Sequence, residues 1–216
     1  MLTLIYYLDV LSSWCFYAEP NLRRLLDVLG ERVRYEWRIA LVENPAGGYS
    51  HRQYDWFYRR SGSISGVQLN SGWVSGKYDS SIVPNAAAEA ARELGFSDDR
   101  VRLALSRAAL VDGKPILDPA VSAEIVSHAT GVASDKIREL IDDHHIRQRI
   151  ADSGEEFKRL DVDQRPAFVL SSDIGDKVVF SGVWAYEPLH ATATAMLGES
   201  AKYAAFAHDN PPFPDA

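Results

Sequence analysis

The sequence predicts an α/β fold, a four-stranded mixed sheet interrupted by an all-helical block. Three observations carry this prediction. The chain opens with a nearly unbroken apolar run, then a helical repeat, then a period-two run. Residues 84 to about 160 carry helix punctuation throughout. Strand patterning returns only late, as two short runs ahead of a last helix.

Leu2 to Leu8, ending at Asp9, suits a strand buried on both faces. Leu22, Leu25, Leu26 and Leu29 follow a helical repeat that Gly30 closes. Tyr35, Trp37, Ile39 and Leu41 alternate with Arg34, Glu36 and Arg38, a period-two strand. Strand, helix, strand makes a right-handed parallel crossover the economical arrangement.

Residues 44 to 83 differ in kind, being rich in Gly and Ser and carrying His51, Tyr54, Trp56, Phe57, Tyr58 and Trp73. A short helix near 51–60 followed by an irregular loop is expected. In the helical block, Ala86 to Leu94 stops at Gly95, and Ser97 with the next two aspartates opens another helix. Asp118-Pro119 reads as an N-cap with proline at the first helical position, and Gly131 ends that helix. Ser134 and Ser153 are further N-cap candidates. Ala167–Leu170 and Lys177–Phe180 flank a hairpin turn containing Gly175. Tyr186 to Leu197 forms a last helix stopped by Gly198, and His208 to Ala216 reads as a loose tail.

Composition narrows the class. With 216 residues, 46% of them hydrophobic and 25% charged, the chain sits at the average for globular proteins. Roughly 70% of the unfolded surface is buried at this size, so no disulfide staples are needed. The net charge of -7 lacks the basic imbalance a phosphate backbone would demand, which argues against a nucleic-acid partner. One cysteine, Cys15, makes no internal disulfide, as suits a reducing compartment. Met1 to Asp9 has no basic n-region or cleavage site, and no apolar run nears the ~20 residues of a membrane span. A cytoplasmic location with no membrane partner is the expectation. A homodimer is left open.

The chemistry gathers after the first strand, at Asp9-Val10-Leu11-Ser12-Ser13-Trp14-Cys15-Phe16-Tyr17-Ala18-Glu19-Pro20. A strand feeding a helix puts Ser12 and Ser13 at the helix N-terminus. Unpaired N–H groups and the positive dipole end favour a thiolate or another anion there. Ser12 as a plain N-cap and Cys15 as a small buried hydrophobe are the bland alternatives. Pro20 falls inside the helix and should kink it.

In order and spacing these elements resemble the DsbA-like branch of the thioredoxin fold. Ser12-Ser13-Trp14-Cys15 is similar to that family's Cys-x-x-Cys with serine in the first place, and Pro20 stands where its kinking proline does. Val162-Asp163-Gln164-Arg165-Pro166-Ala167 resembles the turn into its third strand, which implies a cis Arg165–Pro166 bond. Gly113 to Asp118 and Ser181-Gly182-Val183-Trp184 resemble turns of the family. The resemblance implies a thioredoxin-like domain at 1–43 and 161–200, a helical insertion at 44–160 and a C-terminal tail at 201–216.

Two subfamilies bear on activity. FrnE-like dithiol oxidoreductases need the first cysteine, which is Ser12 here. Kappa-class glutathione transferases and 2-hydroxychromene-2-carboxylate isomerases carry serine there, and its hydroxyl hydrogen-bonds the glutathione thiolate and lowers its pKa. They also hold the γ-glutamyl end with a Ser-Asp pair after the last strand, where this chain has Val183-Trp184. The resemblance therefore implies a thiol-dependent oxidoreductase, isomerase or transferase acting on a small electrophile. Its cosubstrate would be a low-molecular-weight, glutathione-like thiol, with no metal. Ser12 and Cys15 are the catalytic candidates, and Ser13, Trp14, Arg165 and Pro166 the binding candidates, with the Arg165 fork suited to a substrate carboxylate. A peptide- or thiol-binding module without catalysis is the alternative.

Three other features carry less. Adjacent His144 and His145 point about 100° apart on a helix, so a solvated face outweighs a metal site. Tyr54, Trp56, Phe57 and Tyr58 with Arg59-Arg60 fit a packed lid over a pocket better than a base-stacking surface. Gly62, Gly66, Gly72 and Gly76 lack phosphate-loop spacing.

Overall fold

A computed structural model describes residues 1–42, 50–74 and 80–210. Leu2–Leu8 forms β1, the strand with neighbours on both edges. It pairs in parallel with β2 (Val33–Ile39) and antiparallel with β3 (Ala167–Ser172), which carries β4 (Lys177–Ser181) outside it. The sheet order is β2-β1-β3-β4. The central position of β1 fits its apolar run: Leu2, Leu4 and Tyr6 on one face have no exposed surface, and on the other Tyr7 is buried while Thr3 and Ile5 are partly covered. Tyr6 stands level with Trp37 and Phe168, and its ring stacks on Phe168 at 4.8 Å.

Helix α1 (Ser13–Leu29) makes the parallel crossover and contains Pro20. Helix α2 (His51–Ser65) follows β2 and outlasts its expected length. Ser50 and Gln53 close it at the start as a reciprocal capping box, and Gly66 ends it in the left-handed region. The block of α3 (Ile82–Glu93), α4 (Arg100–Leu110), α5 (Pro119–Thr130), α6 (Ser134–Ile141) and α7 (His144–Lys158) precedes β3. Helix α8 (Tyr186–Asp209) follows β4. The Asp118 carboxylate accepts from the Ala120 N–H, Pro119 sits at the first turn and Gly131 ends α5 at φ 78°, as their spacing predicts.

Four boundaries differ from expectation. Ser134 begins α6 one residue inside it, with Ala133 at the cap position. Ser153 caps nothing: it lies within α7, where its hydroxyl donates to the Ile39 carbonyl at 2.6 Å and pins the helix to β2. Helix α3 starts at Ile82, ahead of the predicted Ala86. Helix α8 passes through Gly198 and continues to Asp209, so residues 201–209 of the predicted tail are helical. A mid-helix glycine costs only about 1 kcal/mol, and the alanines at 201, 204, 205 and 207 favour continuation. Residues 211–216 and Gly76 lie outside the described residues.

The main core is continuous between sheet and helical block. Leu8, Val10, Tyr17 and Ile39 belong to one buried cluster with Ala86, Leu105, Ile137 and Ile150. A smaller cluster of Tyr7, Ala40, Phe157, Ala167 and Val169 fills the space beneath α7. No described helix is long and apolar enough to cross a membrane.

Candidate functional site

The loop from β1 into α1 is held by groups that the sequence scatters widely. Asp9 is fully buried, and four donors face its carboxylate: the Leu11 and Val42 N–H groups, the Ser81 hydroxyl and the Asn85 amide, at 2.7–2.9 Å. Asn85 also accepts from the Val10 N–H through its side-chain oxygen, while the Ser106 hydroxyl donates to the Val10 carbonyl. Helices α3 and α4 thus set the loop's path from the far side. Burial of a carboxylate without a cation is tolerated because its acceptor capacity is filled.

This loop delivers Ser12 to the N-cap of α1, with φ -75° and ψ 116°. Its Oγ accepts from the Cys15 N–H at 3.3 Å, and its hydroxyl proton can be given to a ligand. Ser12, Ser13 and Trp14 are half-buried and line a cavity of about 360 Å³. The Trp14 ring packs edge-on to Tyr17 at 5.6 Å and tilts against Trp184 at 6.2 Å.

Cys15 points the other way. It is 3% exposed, and burial pushes its thiol up to about 11. Desolvation outweighs the helix N-terminus here. The only sulfhydryl of the chain is therefore a neutral, buried group beneath the cavity.

Helix α2 roofs the cavity. Tyr54, Phe57, Tyr58 and Ser61 line it with Trp73, which donates from Nε1 to the Tyr58 hydroxyl at 3.0 Å. Tyr17 staples this roof to α1 through the Ser61 hydroxyl and the Val67 carbonyl, both at 3.2 Å. The aromatic stretch forms the expected lid, except that Trp56 lies outside it, 52% exposed.

The opposite wall comes from the turn into β3. The Arg165–Pro166 bond is cis and Pro166 is buried. The Arg165 fork, predicted to meet a substrate carboxylate, donates to the carbonyls of Ala40, Leu41 and Asp163 while its guanidinium lies over Phe157. It ties this turn to the end of β2 and reaches the cavity with its flank. Asp163 and Gln164 face the cavity beside it, as does Arg60 from α2. The sequence gives Asp163 only as part of the turn before Pro166, and Arg60 only as a neighbour of the aromatic stretch. Val183-Trp184 supplies no carboxylate; the Trp184 carbonyl accepts from Asn21 instead. His144 and His145 are exposed at the start of α7, where Asp143 caps the helix by accepting from the His145 N–H.

A sheet with a split βαβ–ββα order, serine at the N-cap of its first helix and a cis-proline turn opposite define a thioredoxin-fold protein. Residues 3–195 match the DSBA-like thioredoxin domain, and the chain belongs to that family. Among solved structures, the cytosolic disulfide reductase DsbM of Pseudomonas aeruginosa is similar, with TM-score 0.70 and 24% identity over 90% of this chain and 98% of that one. The same reductase with GSH gives TM-score 0.70 at 22% identity, over 90% of this chain and 98% of that one. A 2-hydroxychromene-2-carboxylate isomerase gives TM-score 0.60 at 16% identity, over 94% of this chain and 98% of that one. At these identities the likeness is one of fold. No curated protein matches the sequence.

Proposed function

We propose that the chain is a thiol-dependent enzyme of the reducing cytoplasm in which Ser12 holds the sulfur of a small, glutathione-like thiol. The observation that carries this reading is the division of labour at the start of α1. A hydroxyl lines the cavity, and the one cysteine lies buried and neutral beneath it. A reactive sulfur must then arrive from outside. When bound, such a thiol supplies the nucleophile for reduction, isomerisation or conjugation of a small electrophile.

The residues present fit such a ligand. The Ser12 hydroxyl donates to the sulfur, and the N-terminus of α1 favours its anionic form. Arg60 and Asp163 sit on different walls of the same cavity, one suited to a carboxylate and the other to an amino group. In this reading Asp163, on the cavity wall, supplies the carboxylate that Val183-Trp184 lacks. Trp14 and the roof aromatics shield the sulfur from water and offer flat apolar surface to an electrophile. The P. aeruginosa disulfide reductase solved with GSH lends support through its shared fold. Dithiol exchange is not part of the proposal, because no second cysteine can resolve a mixed disulfide.

Titration with glutathione against pH, followed by tryptophan fluorescence, tests the reading. Binding should quench emission from Trp14 and Trp73. Ser12→Ala should raise the bound thiol's pKa by about one to two units, the worth of one charge-assisted hydrogen bond. Intact thiol affinity in Ser12→Ala, with a melting point lowered by the lost cap alone, would reduce Ser12 to a helix cap.

A further inference from the structure

Helix α2 has two faces, and the cavity uses one. Tyr54, Phe57, Tyr58 and Ser61 turn inward. At 3.6 residues per turn, Arg52, Trp56, Arg59 and Arg60 fall within an arc of about 100° on the other side. All four are exposed. Arg60 stands at the seam, stacked over Trp56 at 5.2 Å while its side chain also borders the cavity.

The charge of this face runs against that of the chain. Asp55 is the only acidic residue of α2, and one of its oxygens accepts from the Ser71 hydroxyl at 2.6 Å. Among the described residues no carboxylate pairs with Arg52, Arg59 or Arg60. Elsewhere most arginines on the helices are neutralised, as Arg100, Arg102, Arg147 and Arg149 are. A local cationic, tryptophan-bearing face on a chain of net charge -7 is complementary to a small anionic partner with an apolar side chain.

We propose that the outer face of α2 docks an acidic polypeptide segment carrying a leucine or an aromatic residue. Two physical arguments select this occupant over other polyanions. Charge is screened beyond about 8 Å at physiological ionic strength, so a short segment meets the arginines alone. An extended nucleic acid or an anionic bilayer also meets the acidic remainder of the surface, which repels it. The helix further lacks a broad apolar face to sink into lipid, because that face is already buried on the cavity. Docking here presses on the roof of the cavity, with Arg60 shared between the two. The proposal does not depend on what the cavity binds.

Fluorescence anisotropy with a short labelled peptide alternating Glu with Leu and Phe tests it on the full chain. The wild type should bind this peptide and ignore its Lys-for-Glu counterpart. The double variant Arg52→Glu/Arg59→Glu should bind roughly tenfold more weakly, with Arg52→Gln/Arg59→Gln intermediate, since neither residue touches the cavity or the core. Added salt should weaken the wild type and scarcely change the double variant. The glutathione titration serves as a separate arm and should be the same in the wild type and both variants. Equal peptide affinity across the three proteins, no peptide binding at all, or preferred capture of oligodeoxythymidine or phosphatidylserine vesicles would each overturn the proposal.

Discussion

Ser12 and Cys15 share the first turn of one helix and experience opposite environments. The Ser12 hydroxyl borders the cavity, while Cys15 faces Tyr6, whose hydroxyl donates to the Cys15 carbonyl at 3.2 Å. Burial therefore decides the chemistry of Cys15, and a measurable pH dependence follows. The thiol's pKa is raised from 9.0 to about 11 in the folded protein. The unfolded chain loses this proton first as pH rises, so the contribution to stability is complete below about pH 9. It then declines by about 1.4 kcal/mol per unit until about pH 11. Urea melts of wild type and Cys15→Ala should show that decline only in the wild type, once the tyrosine and lysine titrations common to both are subtracted. Iodoacetamide should likewise leave native Cys15 unmodified at pH 8 and label it on unfolding. Rapid labelling of the native protein at pH 8 would return Cys15 to the list of nucleophiles.

At the scale of elements, Ser12 and Ser153, two of the serines read as cap candidates, show what a linear reading can and cannot reach. Ser12 is a cap because β1 and α1 meet there, which the adjacent sequence states. Ser153 is not, because its partner is the Ile39 carbonyl on β2, far away in the chain. Asp118-Pro119 and Gly131 were legible because a cap is a local device. Gly198 was misleading because a glycine ends a helix only when its backbone turns left-handed, and at Gly198 it does not. The strand pattern of β1, Pro20 and Pro166 together point in the sequence to the candidate site. Its inner support did not show in the sequence, because Asp9, Ser81, Asn85 and Ser106 meet only after folding.

That support gives the element-level predictions. Asp9→Asn places an amide N–H against donors and should destabilise the fold by about 1–3 kcal/mol, with part of the loss appearing as weaker thiol binding. Unchanged thiol affinity in a folded Asp9→Asn protein would separate the loop's geometry from its activity. Tyr17→Phe releases α2 from α1 by removing the bonds to Ser61 and Val67. Amide exchange across 58–67 should accelerate while β1 stays protected. Equal acceleration in both places would mean that Tyr17 supports the whole fold and not the roof.

For the molecule as a whole, the question is whether sheet and helical block behave as one body. The continuous core says that they do, and a buried ionic cluster joins them again. Arg102 of α4, 2% exposed, pairs with Glu19 of α1 and with Asp99, donates to the Tyr35 hydroxyl on β2 and lies over the Tyr6 ring at 5.4 Å. Its guanidinium thus touches a crossover helix, two strands and the inserted block at once. Removing one member of such a cluster leaves charge in a dry place, and Arg102→Ala should cost about 3–5 kcal/mol. Against a net stability of about 5–15 kcal/mol that loss is a large fraction, so the variant's melt should shift far from the wild type's. Because no boundary of weak packing separates the two parts, far-ultraviolet circular dichroism and tryptophan fluorescence should report one coincident transition in both proteins, displaced as a unit in the variant. The two probes weigh the parts differently: α3 to α7 supply about half of the described helical residues and none of the five tryptophans. An Arg102→Ala melt in which the helical signal falls before the tryptophan signal would show that the cluster fastens two separable units, and that the apolar contacts between them are too weak to hold the block in register alone.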